Sequence, residues 1–223
     1  MKILVVGLGS IGMRHARNFK TLGVEQLIGC DLLEERRQKF SSEINGDIVS
    51  TLEKGLYKKP DLVVVASPNR FHLEQAKTSA RNGCHLFIEK PVSHTLEGLD
   101  DLITLVDEKS LFAHIGSKWK FHPAFKTMKK IINEGSLGKI TGAQVIAGQW
   151  LPDWHPWEDY RNMYSAKKDQ AGGIVLDSHE FDYLTWLLGP ISKVSGYTAH
   201  TGALDIETED IAVACMQFES GVL

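Results

Sequence analysis

The sequence predicts an α/β protein: a doubly wound parallel sheet, followed by an α+β domain with an open, mostly antiparallel sheet. Three observations carry this. Near-continuous apolar runs at 3–6 and 61–66 read as strands covered on both faces. Helical stretches that end at glycines alternate with such runs through short loops, the pattern of a parallel sheet. Beyond Lys118 the alternation stops, and 192–200 and 211–218 mix apolar with polar residues as strands with one covered face do. The expected domains are 1–118 and 119–223.

Each element has its own signal. The run 3–6 leads straight into Gly7-Leu8-Gly9-Ser10-Ile11-Gly12, and 13–22 reads as a helix stopped by Gly23. In a strand, Gly-x-Gly-x-x-Gly, helix arrangement, Gly7 permits the tight turn and Gly9 lets the backbone approach a pyrophosphate. Gly12 lets the helix pack close to the strand, and the helix amino terminus receives the phosphate charge. A second strand, 26–30, ends in Asp31, about 20 residues past the fingerprint, where an acid meets the ribose 2′-hydroxyl. The first domain therefore reads as a dinucleotide-binding Rossmann sheet. Asp31 favours NAD because its carboxylate repels a 2′-phosphate, while Arg36 and Arg37 nearby keep NADP an option. The alternation continues with a short strand at 47–50, a brief helix capped by Thr51, and the strand 61–66 ended by Ser67-Pro68-Asn69. A helix at 71–82 stops at Gly83 and is followed by a strand at 84–88, a helix at 95–109 and a strand at 111–115.

The strand 84–88 runs into Glu89-Lys90-Pro91. Proline fixes its own φ and pushes the preceding residue out of the helical region, so Lys90 is expected to be extended at a strand's carboxyl end. In open α/β sheets ligands bind at that edge. Ser67 and Asn69 are expected to line the same cleft.

In the second domain, 122–134 reads as an amphipathic helix closed by Gly135, and 139–149 as a strand. The stretch 150–161 is too rich in Pro, Trp and charge for regular structure. Its indoles, Trp154 among them, either pack as an aromatic cluster or form a lid that binds a sugar-like substrate, with Tyr160, Arg161 and Tyr164 as polar groups on the substrate side. Ser178 is placed to cap a helix at 179–188 that ends at Gly189-Pro190. Glu219-Ser220-Gly221 reads as a hairpin turn with the start of a further strand after it, which suggests a truncated chain.

Composition excludes several classes. With Lys+Arg at 25 against Asp+Glu at 28, the net charge of −3 gives no electrostatic case for nucleic acid or an anionic membrane. Three cysteines, far apart and odd in number, argue for a reducing, cytoplasmic setting rather than a disulfide framework. No metal-ligand spacing occurs, and the amino-terminal apolar run is too short for a signal peptide or a span.

Taken in order, the Gly7–Gly12 loop, Ser67-Pro68-Asn69 with His72, Glu89-Lys90-Pro91, Phe121-His122-Pro123, Gly135-Ser136-Leu137-Gly138-Lys139-Ile140, and Gly172-Gly173 leading to Asp177, His179 and Asp182 resemble the glucose-fructose oxidoreductase and inositol dehydrogenase family (Gfo/Idh/MocA). The resemblance covers the whole chain. It implies an NAD(P)-dependent dehydrogenase of sugars, sugar nucleotides or cyclitols, assembled as a dimer or tetramer through its carboxyl-terminal sheet. It further implies that Gly7 to Gly12, Asp31, Ser67, Asn69, His72, Glu89 and Lys90 contact the cofactor. Lys90 would stand beside the nicotinamide and the reacting carbon, His179 would exchange the proton, and Asp177 would assist. The family normally writes that pair Asp-x-x-x-His. Here Asp177 precedes His179 by two, so the two share a face only if Asp177 lies outside the helix. The alternatives are a non-catalytic dinucleotide-binding regulator on the same fold, or an inactive fragment.

Overall fold

The computed structural model describes residues 1–176 and 178–223, Val175 by its backbone only. The chain divides into two compact units, 1–116 and 117–223, each described by itself.

The first unit is built from β1 (Lys2–Val6), α1 (Ser10–Thr21), β2 (Gln26–Cys30), α2 (Glu34–Ile44), β3 (Asp47–Val49), α3 (Leu52–Tyr57), β4 (Leu62–Val65), α4 (His72–Arg81), β5 (His85–Ile88), α5 (Leu99–Glu108) and β6 (Ala113–Ile115). The six strands are parallel in the order β3-β2-β1-β4-β5-β6. Successive side chains of a strand point to opposite faces. Ile3 and Val5 therefore join Val64, Leu27, Met13, Ala16 and Phe40 on one face. Leu4 and Val6 join Val63, Val65, Ile28, Leu86 and Ile88 on the other. Each of these side chains is removed from water, a gain of roughly 1.5–3 kcal/mol apiece relative to exposure. The strand order reverses between β1 and β4, and such a switch point opens a crevice at the strands' carboxyl ends.

Several boundaries differ from expectation for local reasons. α1 begins inside the glycine loop, at Ser10 rather than residue 13, because Gly9 serves as its cap and accepts the Met13 N–H at 3.0 Å. α5 begins at Leu99 rather than residue 95. The hydroxyls of Ser93 and Thr95 accept the N–H groups of Thr95 and Glu97, and these local turns compete with helix until Gly98, at φ 76°, redirects the chain.

The second unit contains α6 (Pro123–Asn133), α7 (His179–Leu188), β7 (Ile191–Ala199) and β8 (Ile211–Phe218). His122 caps α6 through Nδ1, which accepts the Ala124 N–H at 3.2 Å, and Pro123 occupies the first helical position, where its missing N–H costs nothing. Lys129 on α6 donates to the Trp186 and Leu187 carbonyls at 2.7 and 3.1 Å, satisfying the open end of α7. Tyr183, Leu184, Leu187, Phe218 and Val222 form the core with Trp119 and Phe125 against them.

Two expectations fail here. The stretch 139–149 is not a strand. Among the described residues its ladder contacts are confined to Leu223, with Ala143 N–H donating to Leu223 O at 2.8 Å and Leu223 N–H to Thr141 O at 3.3 Å, too few to define one. The antiparallel pair β7–β8 also lacks the expected covered face: Val194, Tyr197 and Val213 are exposed, and only its Phe218 end is buried. The turn at 219–221 forms as expected, with Gly221 at φ 85° and its N–H on Phe218 O. No helix among the described residues is long and apolar enough to cross a membrane.

Candidate active site

The carboxyl edge of the parallel sheet gathers most of the expected residues of the first unit. Gly7 has φ 87°, and a side chain there would meet Ala66 O and Ser67 N at 2.6 Å, so the loop presses against the end of β4. At Gly12 a Cβ would lie 1.8 Å from Gly7 O, which enforces the close helix–loop contact. Gly9 is different: a Cβ would meet nothing within 4 Å. Its open side, with exposed Ser10 and Ile11 beside it and no side-chain cap on α1, leaves first-turn N–H groups to an anion. This cradle fits a pyrophosphate.

Asp31 is fixed rather than merely present. Its Oδ2 accepts the Leu8 N–H at 2.8 Å and its Oδ1 the Leu33 N–H at 2.9 Å, with the side chain 8% exposed. Arg36 Nη1 stands 3.6 Å from Oδ2 on a half-exposed side chain. Arg37 is committed elsewhere, donating to the Asp31 and Leu32 carbonyls and pairing with Glu34. Of the two arginines expected to compensate a 2′-phosphate, only Arg36 is placed to do so. Burial first, and then Asp31, push the neighbouring Cys30 thiol up to about 12, which keeps it protonated and inert.

Ser67 donates to Gln75 Oε1 at 2.7 Å, and Asn69 is buried in the turn that follows. His72 is 2% exposed, with Nδ1 2.8 Å from Pro91 O and Nε2 2.7 Å from Ser67 O, so its ring sits between the loops after β4 and β5 and its N–H donates to one of the two carbonyls. Burial, partly offset by those two carbonyls, holds its pKa below the usual range. Glu89 is likewise committed: its Oε1 lies 2.7 Å from His15 Nε2. Lys90 follows, half-buried, with a cis bond to Pro91. His15 was not expected. The signal available for it was its place one turn beyond Gly12, on the helix face turned to the sheet.

In the second unit, His179 is the first residue of α7, its ring centroid 6.3 Å from that of Trp119 with the two planes at 90°. Asp182, one turn on, pairs with Lys120 at 3.2 Å, a cation that sequence reasoning passed over. Asp177 lies outside the described residues. In the aromatic loop, Trp154 is half-buried and its indole N–H, itself buried, has no hydrogen-bond partner among the described residues. Trp157 is exposed and stacks on His155. Arg161, expected to face substrate, is held by Asp159 through bonds of 2.8 and 2.9 Å. Tyr160 takes the Asp205 N–H on its hydroxyl at 3.4 Å, and Tyr164 is exposed.

Residues 1–117 match the model of an oxidoreductase family with an NAD-binding Rossmann fold, and 125–223 match the GFO/IDH/MocA carboxyl-terminal domain. The chain belongs to the Gfo/Idh/MocA family. Among curated members, the 2,7-anhydro-N-acetylneuraminate hydratase of Mediterraneibacter gnavus is 26% identical over 96% of this chain and 57% of its own length. The myo-inositol 2-dehydrogenase of Thermotoga maritima is 28% identical over 100% and 66%. Among solved structures, the WlbA dehydrogenase of Bordetella pertussis, in complex with NADH and UDP-GlcNAcA, superposes with a TM-score of 0.85 at 26% identity, covering 100% of this chain and 64% of that one. The chain thus spans roughly three fifths of the length of these Gfo/Idh/MocA relatives. Its first unit is an NAD-binding Rossmann domain.

Proposed function

We propose that the chain carries the cofactor and substrate machinery of an NAD(P)-dependent dehydrogenase acting on a secondary alcohol or ketone of a sugar, sugar nucleotide or cyclitol, in the cytoplasm. The observation that carries this reading is the convergence, at one sheet edge, of the open glycine cradle, the fixed Asp31 and Lys90. Bound NAD supplies the hydride chemistry, and the protein's share is orientation and one proton. Asp31, held by two backbone N–H groups, offers its remaining lone pairs to the ribose hydroxyls. Lys90 stabilises the charge that develops on the substrate oxygen as its carbon is oxidised or reduced. His179, of a residue type that titrates near pH ~6.5, exchanges the hydroxyl proton, with Asp177 as its assigned assistant. Trp154, Tyr160, Arg161 and Tyr164 form the substrate side, Arg161 by exchanging Asp159 for a substrate oxygen.

Relatives named for inositol and for a UDP-sugar complex support the substrate class, and the second directs it toward nucleotide sugars. The apolar face of β7–β8 that pairs Tyr197 with Val213 is assigned to a second copy of the chain, with sedimentation as its check. The deciding experiment is a titration with NADH and NADPH followed by nicotinamide fluorescence, then a 340 nm screen of sugars, cyclitols and nucleotide sugars. Binding with turnover is expected, whereas binding without turnover of any of them would favour the regulator.

A further inference from the structure

We propose that His15 and His72 are positioning residues that brace Lys90 from both sides and tie it to the cofactor loops; this rests on the dehydrogenase reading above. Lys90 stands between two anchored neighbours. On its amino side, Glu89 Oε1 meets His15 Nε2 at 2.7 Å, with the two side chains only 18% and 17% exposed. The carboxylate is boxed in further by Gly116, where a Cβ would come within 2.8 Å of Oε1, and His15 sets its ring edge-on against Phe87 at 4.8 Å. On the carboxyl side, the Pro91 carbonyl meets His72 Nδ1 at 2.8 Å, and the same ring meets the Ser67 carbonyl at 2.7 Å.

The two histidines come from different helices. His15 lies on α1, whose first turn is the phosphate cradle, so Glu89 is bound to the element that receives the pyrophosphate. His72 opens α4 and joins the loop after β4 to the loop after β5. The backbone carrying Lys90 is therefore tied to the cradle helix through Glu89 and packed, through the His72 ring, between the loops after β4 and β5. Displacements of about 1 Å at a reacting group cost on the order of 100-fold in rate. Losing either brace should thus lower kcat while sparing cofactor affinity, because the cradle and Asp31 are untouched.

The test uses the full chain with the sugar found in the 340 nm screen. Four variants are compared, His15→Leu, His15→Gln, His72→Leu and His72→Gln, each with melting temperature, NADH dissociation constant, KM and kcat. The leucine variants are expected to lose about 10- to 100-fold in kcat. NADH affinity should stay within about threefold, since the cradle that binds it is unaltered. His15→Gln, whose amide still offers Glu89 a donor, should recover much of the loss. In a Lys90→Ala background the His15→Leu change should have no further effect on kcat, as expected for residues acting through one group. Should His72→Leu fail to fold, the His15 pair and the Lys90→Ala background decide the matter. Unchanged kcat in a folded His15→Leu, or parallel losses of NADH affinity and kcat, would overturn the brace and leave the dehydrogenase intact. A wild-type chain that binds NADH yet turns over nothing removes the dehydrogenase reading and this inference with it.

Discussion

The two units hold their functional side chains by different means. In residues 1–116 the backbone holds Asp31 and flanks His72: Asp31 takes two main-chain N–H groups and His72 sits between two main-chain carbonyls, while Glu89 rests on a largely buried side chain, His15. In residues 117–223 side chains hold one another: Arg161 rests on Asp159, Lys120 on Asp182 and Lys167 on Glu207. Backbone partners are fixed by the sheet and resist substitution, whereas paired side chains can be exchanged for ligand atoms at small cost.

The sharpest way to break this contrast is Lys90→Ala, which should lower kcat by about 10²–10³, the loss typical of removing one charge-stabilising donor, with NADH affinity nearly unchanged. Retained turnover would remove chemistry from the first unit altogether. Gly12→Ala comes next. With no room between the new Cβ and Gly7 O, overpacking should cost about 1–3 kcal/mol, read as a lower melting temperature together with weaker NADH binding. Asp31→Ala should weaken NAD about tenfold more than NADP, a difference of about 1.4 kcal/mol in fluorescence titrations. Equal losses for both would disprove the ribose contact.

A smaller effect follows from His72. Its folded pKa is lowered, so the unfolded chain binds the proton more readily between that value and about 6.5. Its contribution to stability is complete above the unfolded pKa and declines as pH falls below it. Urea denaturation from pH 7.5 to 5 should show this slope in wild type and a flatter one in His72→Gln. The smallest effect is expected in the second unit: Arg161→Gln should leave the melting temperature unchanged, because the pair is exposed, and raise only the substrate KM.

The parallel sheet was legible in the sequence because strands buried on both faces must be apolar throughout, as 3–6 and 62–65 are. The glycine turn was legible because its close approaches at Gly7 and Gly12 admit few residue types. His72 and Glu89, assigned to the cofactor side, each also have a partner within the protein, which spacing along the chain does not reveal. His15 escaped notice for the same reason: its partner is distant in sequence. The strand expected at 139–149 shows a further limit. A strand-forming composition produces a strand only when another strand offers its hydrogen bonds, and here Leu223 alone among the described residues does so.

The strand order carries one more consequence, for assembly during synthesis. β1 lies between β2 and β4, so as the chain leaves the ribosome it can pair with β2, to which β3 then adds, while its other edge waits for β4. Until the Leu-Val-Val-Val run of β4 arrives, Ile3 to Val6 present an open, apolar edge to solvent and to any neighbouring nascent chain. Slowing translation between β3 and β4 should therefore lengthen the aggregation-prone interval more than a pause placed after β5.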